Sequence, residues 1–306
     1  MWYNNTRNKG EQKMNNKLKG IIYMLISSVA FSGMQIMIAK TADTVPLFEQ
    51  LFFRNFVVLI VAGFEVRKHH AKFFGNKGSR KMLFLRSGTG FLGMITMFYA
   101  AANAPQADVT ILAKLSPFVV SVLAVLFLKE KFTKYQAIGL VVAFVGACFV
   151  ANPKFTADIF PLIVALISAF FAGIAYTAIS ALKGREHPST IVFFFSAVST
   201  VISFFIIIVD FVPVSLVDMF QLLLLSIFAA VGQLGLTKAY SITKASEVSI
   251  YSYSSVAFST VFAAIFLSQA ISLHSVLGSS LVILASLIVY FGNRHLEKKK
   301  EIDDDK

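Results

Sequence analysis

Arg54, Arg86 and Lys114 each lie inside a long apolar stretch, whereas the other 25 of the 28 Lys and Arg residues occupy connectors and tails. A cation buried in such a setting is costly and usually faces a bundle interior or a water-filled path. Lys114 sits about nine residues into its stretch, about 13 Å deep at 1.5 Å per residue, near the middle of a bilayer. From there its ammonium is suited to hold a carboxylate or phosphate of a small molecule. The alternatives are an ion pair with Asp108 or Glu49, or a stem that snorkels to an interface. Arg54 lies about 10 Å in from the end of its stretch. It either lines a vestibule or fixes its helix against a carbonyl or Glu49, although a separation of five residues is not a facing helical pair. Arg86 stands about one turn from the edge of its stretch, beside a basic connector, and is expected to snorkel to the interface as an anchor.

A second polar group falls in the stretch 246–267, where Ser246, Ser249, Tyr251, Ser252, Tyr253, Ser254, Ser255, Ser259 and Thr260 crowd one apolar segment. Positions 249, 252, 253, 256 and 260 share one face at helical spacing. Two readings are open. The face is a hydrogen-bonding wall opposite Lys114, with Ser252 and Tyr253 lining a cavity, or it lets helices pack closely and bond across. Gln35, Tyr99, Tyr176 and Gln233 are further candidates for a polar path, each equally suited to an interhelical bond or an interfacial aromatic role. Gly88, Gly90, Gly93, Gly232 and Gly235 read as sites of close helix packing, because a phosphate cradle needs a strand–loop–helix context that is absent. Glu130, between Lys129 and Lys131, reads as a capping feature. The five histidines (69, 70, 187, 274 and 295) fall in or beside connectors without metal-ligand spacing. No carboxylate pair shares an apolar helical face, so no catalytic residue, metal or cofactor is expected.

Ten apolar stretches must position these residues: 19–39, 48–66, 82–102, 106–128, 134–151, 159–181, 189–209, 217–237, 246–267 and 273–292. Inside hydrocarbon every backbone polar group must be satisfied within its segment, so each stretch is predicted as a helix, and about 20 residues suffice to cross. The chain is 57% hydrophobic with 32 Phe and a mean hydropathy of +0.73, and only 14% of it is charged; soluble domains carry about 25% charged residues. The single cysteine, Cys148, excludes disulfides and CxxC metal sites. The first apolar run is too long for a signal peptide and lacks a clear cleavage site, so a retained helix is predicted.

The basic residues alternate between connectors. Twenty-three lie in the N-terminal tail, every second connector (67–81, 129–134, 183–185, 238–244) and the C-terminal tail, against Lys40 and Lys154 in the other set. The positive-inside rule places both termini in the cytoplasm of a plasma or bacterial inner membrane. The net charge of +12 thus describes short connectors and tails, not one face that would bind nucleic acid.

A shift of 139 residues matches Leu128 to Leu267, Glu130 to Gln269 and Gly139 to Gly278, and a shift of 141 matches Tyr99 to Tyr240. Five helices per unit is odd, so two like units must be inverted relative to one another. Glu49 with Phe52-Phe53-Arg54, Tyr99 with the three following alanines, Ser116-Pro117, Leu128-Lys129-Glu130-Lys131, Gln136 to Gly139 and Gly146 resemble the EamA-type drug/metabolite transporters over nearly the whole chain. The second half departs from that pattern at Val256 and Gln269. The resemblance implies an all-α membrane protein of ten transmembrane helices in two inverted repeats, 19–151 and 152–292, between cytoplasmic tails 1–18 and 293–306. It also implies a central cavity, in which Lys114, Ser252, Tyr253, Arg54, Tyr99, Gln35, Tyr176 and Gln233 are the substrate-binding candidates. The expected partners are a small polar metabolite and the lipid bilayer, with no nucleic acid; nothing in the sequence indicates a homodimer. A non-transporting receptor or scaffold and an integral-membrane enzyme are the alternatives.

Overall fold

The computed structural model describes residues 2–304 apart from 42–43, 105, 154, 156–157, 209–211, 267 and 269–271, and side chains except at 2–14, 98, 101–102, 106–107 and 297–304. Lys154, Leu267 and Gln269, which enter the charge pattern and the repeat, lie outside these residues. Among the described residues the chain makes ten helical passes. They are α1 (Trp2–Thr41), α2 (Leu47–Lys68), α3 (Arg80–Asn103), α4 (Gln106–Ala113) running into α5 (Ser116–Leu128), and α6 (Lys134–Ala151). The second half follows with α7 (Ile159–Ala181), α8 (Pro188–Ile207), α9 (Leu216–Ile242), α10 (Ala245–Tyr251) running into α11 (Ser254–Phe266), and α12 (Leu273–Asp304). Among the described residues, nine passes are long and apolar enough to cross a membrane. The remaining one, α3, has 24 residues but carries Arg80, Lys81, Arg86 and three glycines. Both tails continue as helix, and the apolar part of α1 is Asn15–Thr41. Large apolar side chains such as Phe127 and Phe205 face outward, at 74% and 68% exposure, as a lipid-facing surface requires.

Two passes predicted as continuous helices are broken. The first break, at Lys114–Leu115, has a local cause: Pro117 lacks an N–H, and its ring opposes the carbonyl four residues back, at Ala113, the last residue of α4. The chain bridges the gap with tight turns, Leu115 N to Leu112 O and Phe118 N to Leu115 O, both 3.0 Å. The second break, at Ser252–Tyr253, needs no proline. Here Ser252, Ser254 and Ser255 turn their hydroxyls back onto the carbonyls of Ser249, Tyr251 and Ser252 at 2.6–2.9 Å. Such local bonds compete with the helix ladder. Val256 stands 139 residues after Pro117, so the two halves reach the same interruption by different chemistry.

The main packing partners lie in opposite halves: α1 against α9, α3 against α7, α2 against α8 and α6 against α12. An inverted two-fold relation, carrying each pass onto the one five later, is satisfied by this set, because it exchanges the first two pairings and maps each of the others onto itself. The α6–α12 seam shows it at atomic scale. A Cβ on Gly146 would stand 2.7 Å from the carbonyl of Gly278, and one on Gly139 would stand 3.2 Å from the carbonyl of Ala285. Shifting by 139 carries Gly139 to Gly278 and Gly146 to Ala285, so these are one contact seen twice. Small residues bring backbones together where lipid offers no hydrophobic drive to do so.

One end of the bundle is stitched shut; it carries most of the basic connectors. Glu130 accepts hydrogen bonds from the Ala245 and Ser246 amides at 2.9 and 3.0 Å and from the Ser246 hydroxyl at 2.6 Å, capping α10. This is the capping role expected of Glu130. Lys17 pairs with Glu247 at 2.9 Å, both side chains nearly buried. Lys183 donates to the Ile242 carbonyl, and Glu186 accepts from the Asn76 amide.

Candidate functional site

The two breaks face each other at the centre. Tyr253, fully buried, donates from its phenol to the Lys114 carbonyl at 2.6 Å, satisfying a backbone group that the break releases. Lys114, half-buried, donates from Nζ to the Ser255 hydroxyl at 2.6 Å. That hydroxyl in turn donates to the Ser252 carbonyl at 2.9 Å, and Ser32 of α1 donates to the Ser255 carbonyl at 3.1 Å. Lys114 forms no ion pair with Glu49 or Asp108 among the described residues, and Glu49 instead accepts from the Val212 amide at 2.6 Å. Of the readings open for Lys114, the carboxylate pairing is therefore set aside. An ammonium has three donors, and Ser255 takes one.

A second group gathers Arg54, Arg86 and Tyr176. Arg54 Nη1 lies 2.9 Å from the Met94 sulfur and 3.5 Å from Asn55 Oδ1. Arg86 does not snorkel: it is 2% exposed and lies over the Phe195 ring, 4.0 Å from its centroid. Burying it inside the bundle over an aromatic face replaces the interfacial anchor that its position near a basic connector suggested. Gly90, read from sequence as a packing glycine, makes room for this guanidinium, since a Cβ there would run into Arg86 Nη1. Gly93 does serve packing, against Phe171 and Ala172 of α7. Tyr176 stacks on Tyr240 with centroids 5.3 Å apart and lies within electrostatic reach of both arginines. α7 links the two groups: Gly173, one turn before Tyr176, abuts Val119 and the Ser116 carbonyl, just past the Lys114 break.

Of the remaining candidates, Ser252 sits at the break with its hydroxyl on the Ser249 carbonyl. Gln35 is exposed on α1, one turn beyond Ser32 on the same face. Tyr99 is not brought to the group; it is 45% exposed and lies edge-on to Phe160. Gln233 stays within α9, buried, its amide 3.4 Å from the Thr237 hydroxyl. The α8 hydroxyls Ser196, Ser199, Thr200 and Ser203 do not stand out in the sequence; they are buried on one helical face without a hydrogen-bond partner among the described residues. Their spacing of three and four is visible in the sequence, but the apolar residues between them hid it.

Similarity to known proteins agrees with this architecture. A solved crystal structure covers 93% of this chain, and 99% of its own, at a TM-score of 0.78 and 14% identity, a likeness of fold alone. The pseudopaline exporter CntI of Pseudomonas aeruginosa is 30% identical over 270 residues, 88% of this chain and 94% of the exporter. The S-adenosylmethionine uptake transporter of Rickettsia felis is 27% identical over 306 residues, 94% of this chain and 99% of its own. Solute carrier family 35 member G1 of Mus musculus is 27% identical over 87% of this chain and 77% of its own. The model of the EamA-like transporter family matches residues 18–152 and again 159–291, one match in each half. A multi-pass membrane protein built on two facing helix breaks, this chain belongs to the EamA-like transporter family.

Proposed function

We propose that the protein is a secondary carrier moving a small polar metabolite with an acidic group by alternating access, with Lys114 holding that group where the two breaks meet. The observation that carries this reading is the placement of Lys114. Its ammonium stands at the interruption of one spanning helix and opposite that of its counterpart, beside hydroxyls and freed carbonyls. Broken helices in inverted repeats are where carriers bind cargo. Ser252, Ser255 and Tyr253 complete the contact surface.

In this reading the repeats 19–151 and 152–292 rock about the crossing. The stitched end faces the cytoplasm by its charge, and Lys17–Glu247 and Glu130 on α10 hold that end together. Inward opening breaks those contacts while the central site persists. Relatives named for export and for uptake align with this chain over 88% and 94% of its length, so the family resemblance alone fixes no direction.

The test is transport in vesicles. Purified protein reconstituted with a metabolite mixture is assayed for counterflow, alongside Lys114→Ala. Loss of flux with normal insertion and gel-filtration behaviour is the expected result. Normal flux by a well-folded Lys114→Ala protein would overturn the assignment, and no flux for any metabolite would favour a receptor or scaffold.

A further inference from the structure

Arg86, Gly90 and Met94 follow at four-residue steps along one face of α3. The Arg86 guanidinium lies along that face over Gly90, with Phe195 of α8 covering its flat side at 4.0 Å. Arg54 enters from α2 one turn further on, touching Met94. Both guanidiniums therefore meet the same face of α3, close enough for Arg54 to act electrostatically on Arg86. Both residues are buried, at 9% and 2% exposure. Among the described residues neither forms an ion pair with a carboxylate, and Arg54 Nε, Arg86 Nε and Arg86 Nη1 have no hydrogen-bond partner. A thioether is a weak acceptor, and a ring face meets the charge without accepting the forked N–H groups. Two like charges in one buried group repel, and an anion between them offsets that repulsion. Planar N–H forks match carboxylate and phosphate oxygens.

We infer that Arg54 and Arg86 form a second anion-binding station beside Lys114, so that the cargo carries two acidic groups, carboxylate or phosphate, and not one. This rests on the carrier reading above and names its substrate class. Tyr176 stands within electrostatic reach of both guanidiniums, and its helix touches α5 just past Lys114. In this inference one molecule spans the α7–α5 contact, with Lys114 taking one acid and the arginine pair the other.

The test uses the full chain, purified in detergent, with ligand affinity read from concentration-dependent thermal stabilisation. The two-acid probes are succinate, glutarate, citrate and 3-phosphoglycerate, and the one-acid probes are butyrate and glycerol 3-phosphate. At least one two-acid probe is expected to bind about tenfold or more tighter than either one-acid probe, and the better of the carboxylate and phosphate arms identifies the acid. Arg54→Gln and Arg86→Gln should erase that preference. Arg86→Lys, which keeps the charge but lacks the fork, should restore only part of it. If the glutamine variants fail to fold, Gly90→Ala, which displaces the guanidinium without changing charge, should produce the same loss. Equal binding of both probe classes, or a preference that survives folded arginine variants, overturns the inference. In the latter case Lys114→Gln separates the two claims: if it alone abolishes binding and flux, the carrier site stands without the second station.

Discussion

The phenol of Tyr253 and the backbone carbonyl of Lys114 share a 2.6 Å hydrogen bond across 139 residues of sequence. That separation is also the offset of the internal repeat, so the two residues occupy equivalent places in the two halves. Each half contributes its interrupted helix, and one bond fastens the interruptions together. The bond is asymmetric, because the first half offers a carbonyl and a cation and the second offers a phenol and hydroxyls.

Tyr253→Phe should therefore loosen the crossing without emptying it. The ring still fills its buried place, while the Lys114 carbonyl loses a buried partner, a loss worth about 1–3 kcal/mol. A lower midpoint of thermal unfolding in detergent is the expected reading, together with altered flux. An unchanged midpoint would mean that another group satisfies the carbonyl.

Glu130→Ala should destabilise the stitched end by about 1.5–3 kcal/mol, since it removes charge-assisted bonds to α10. Glu130→Gln keeps one acceptor oxygen and should fall between. Protease sensitivity of the connectors at 129–133 and 243–245 would report the local opening directly.

Glycine substitutions should divide by position. Gly278→Ala drives a Cβ into the Val150 amide and the Gly146 carbonyl. Backbone cannot move aside as a side chain can, and a cost of about 1–3 kcal/mol is expected. At Gly88 no atom of the described residues lies within 4 Å of where a methyl would stand, so Gly88→Ala should be neutral or stabilise by up to about 1 kcal/mol. Paired unfolding measurements on the two variants check the contrast.

Acid should weaken the stitched end through His187. Burial, the neighbouring His69 ring 4.6 Å away and Lys238 hold its pKa below the ordinary value of 6.5, with Glu65 opposing. Its Nδ1 also accepts from the Ser189 amide at 3.3 Å, capping α8 in the neutral form. A depressed histidine pKa means that the unfolded chain protonates first, so its contribution is full above about pH 6.5 and is lost as pH falls through the lowered folded value. Unfolding midpoints measured from pH 8 down to 5 should decline less for His187→Gln than for the parent chain.

Much of this architecture is legible in the sequence because the bilayer leaves few options. Ten apolar stretches must be helices, and alternating charge orders them. Pro117 foreshadows the Lys114 break, although a proline three residues on does not by itself say that the chain unwinds. The Ser252–Tyr253 break leaves no such mark, since serines interrupt or continue a helix according to which carbonyl they turn to. Arg86 illustrates a different limit. Distance from a stretch's end suggests snorkelling, but only the tertiary partners, Phe195 from α8 and the space over Gly90, direct the side chain inward. Tyr99 errs the other way, a polar-tipped ring that the fold turns outward onto Phe160.

The exchange of partners between halves has a consequence for biosynthesis. When α1, α2 and α3 have entered the bilayer, their main neighbours α9, α8 and α7 have yet to be translated. The first five passes must wait as inserted but loosely associated helices, with Arg54 and Arg86 still lacking the roof that α7 and α8 supply. A chain severed between α6 and α7 should yield two pieces that are short-lived apart and reassemble when made together.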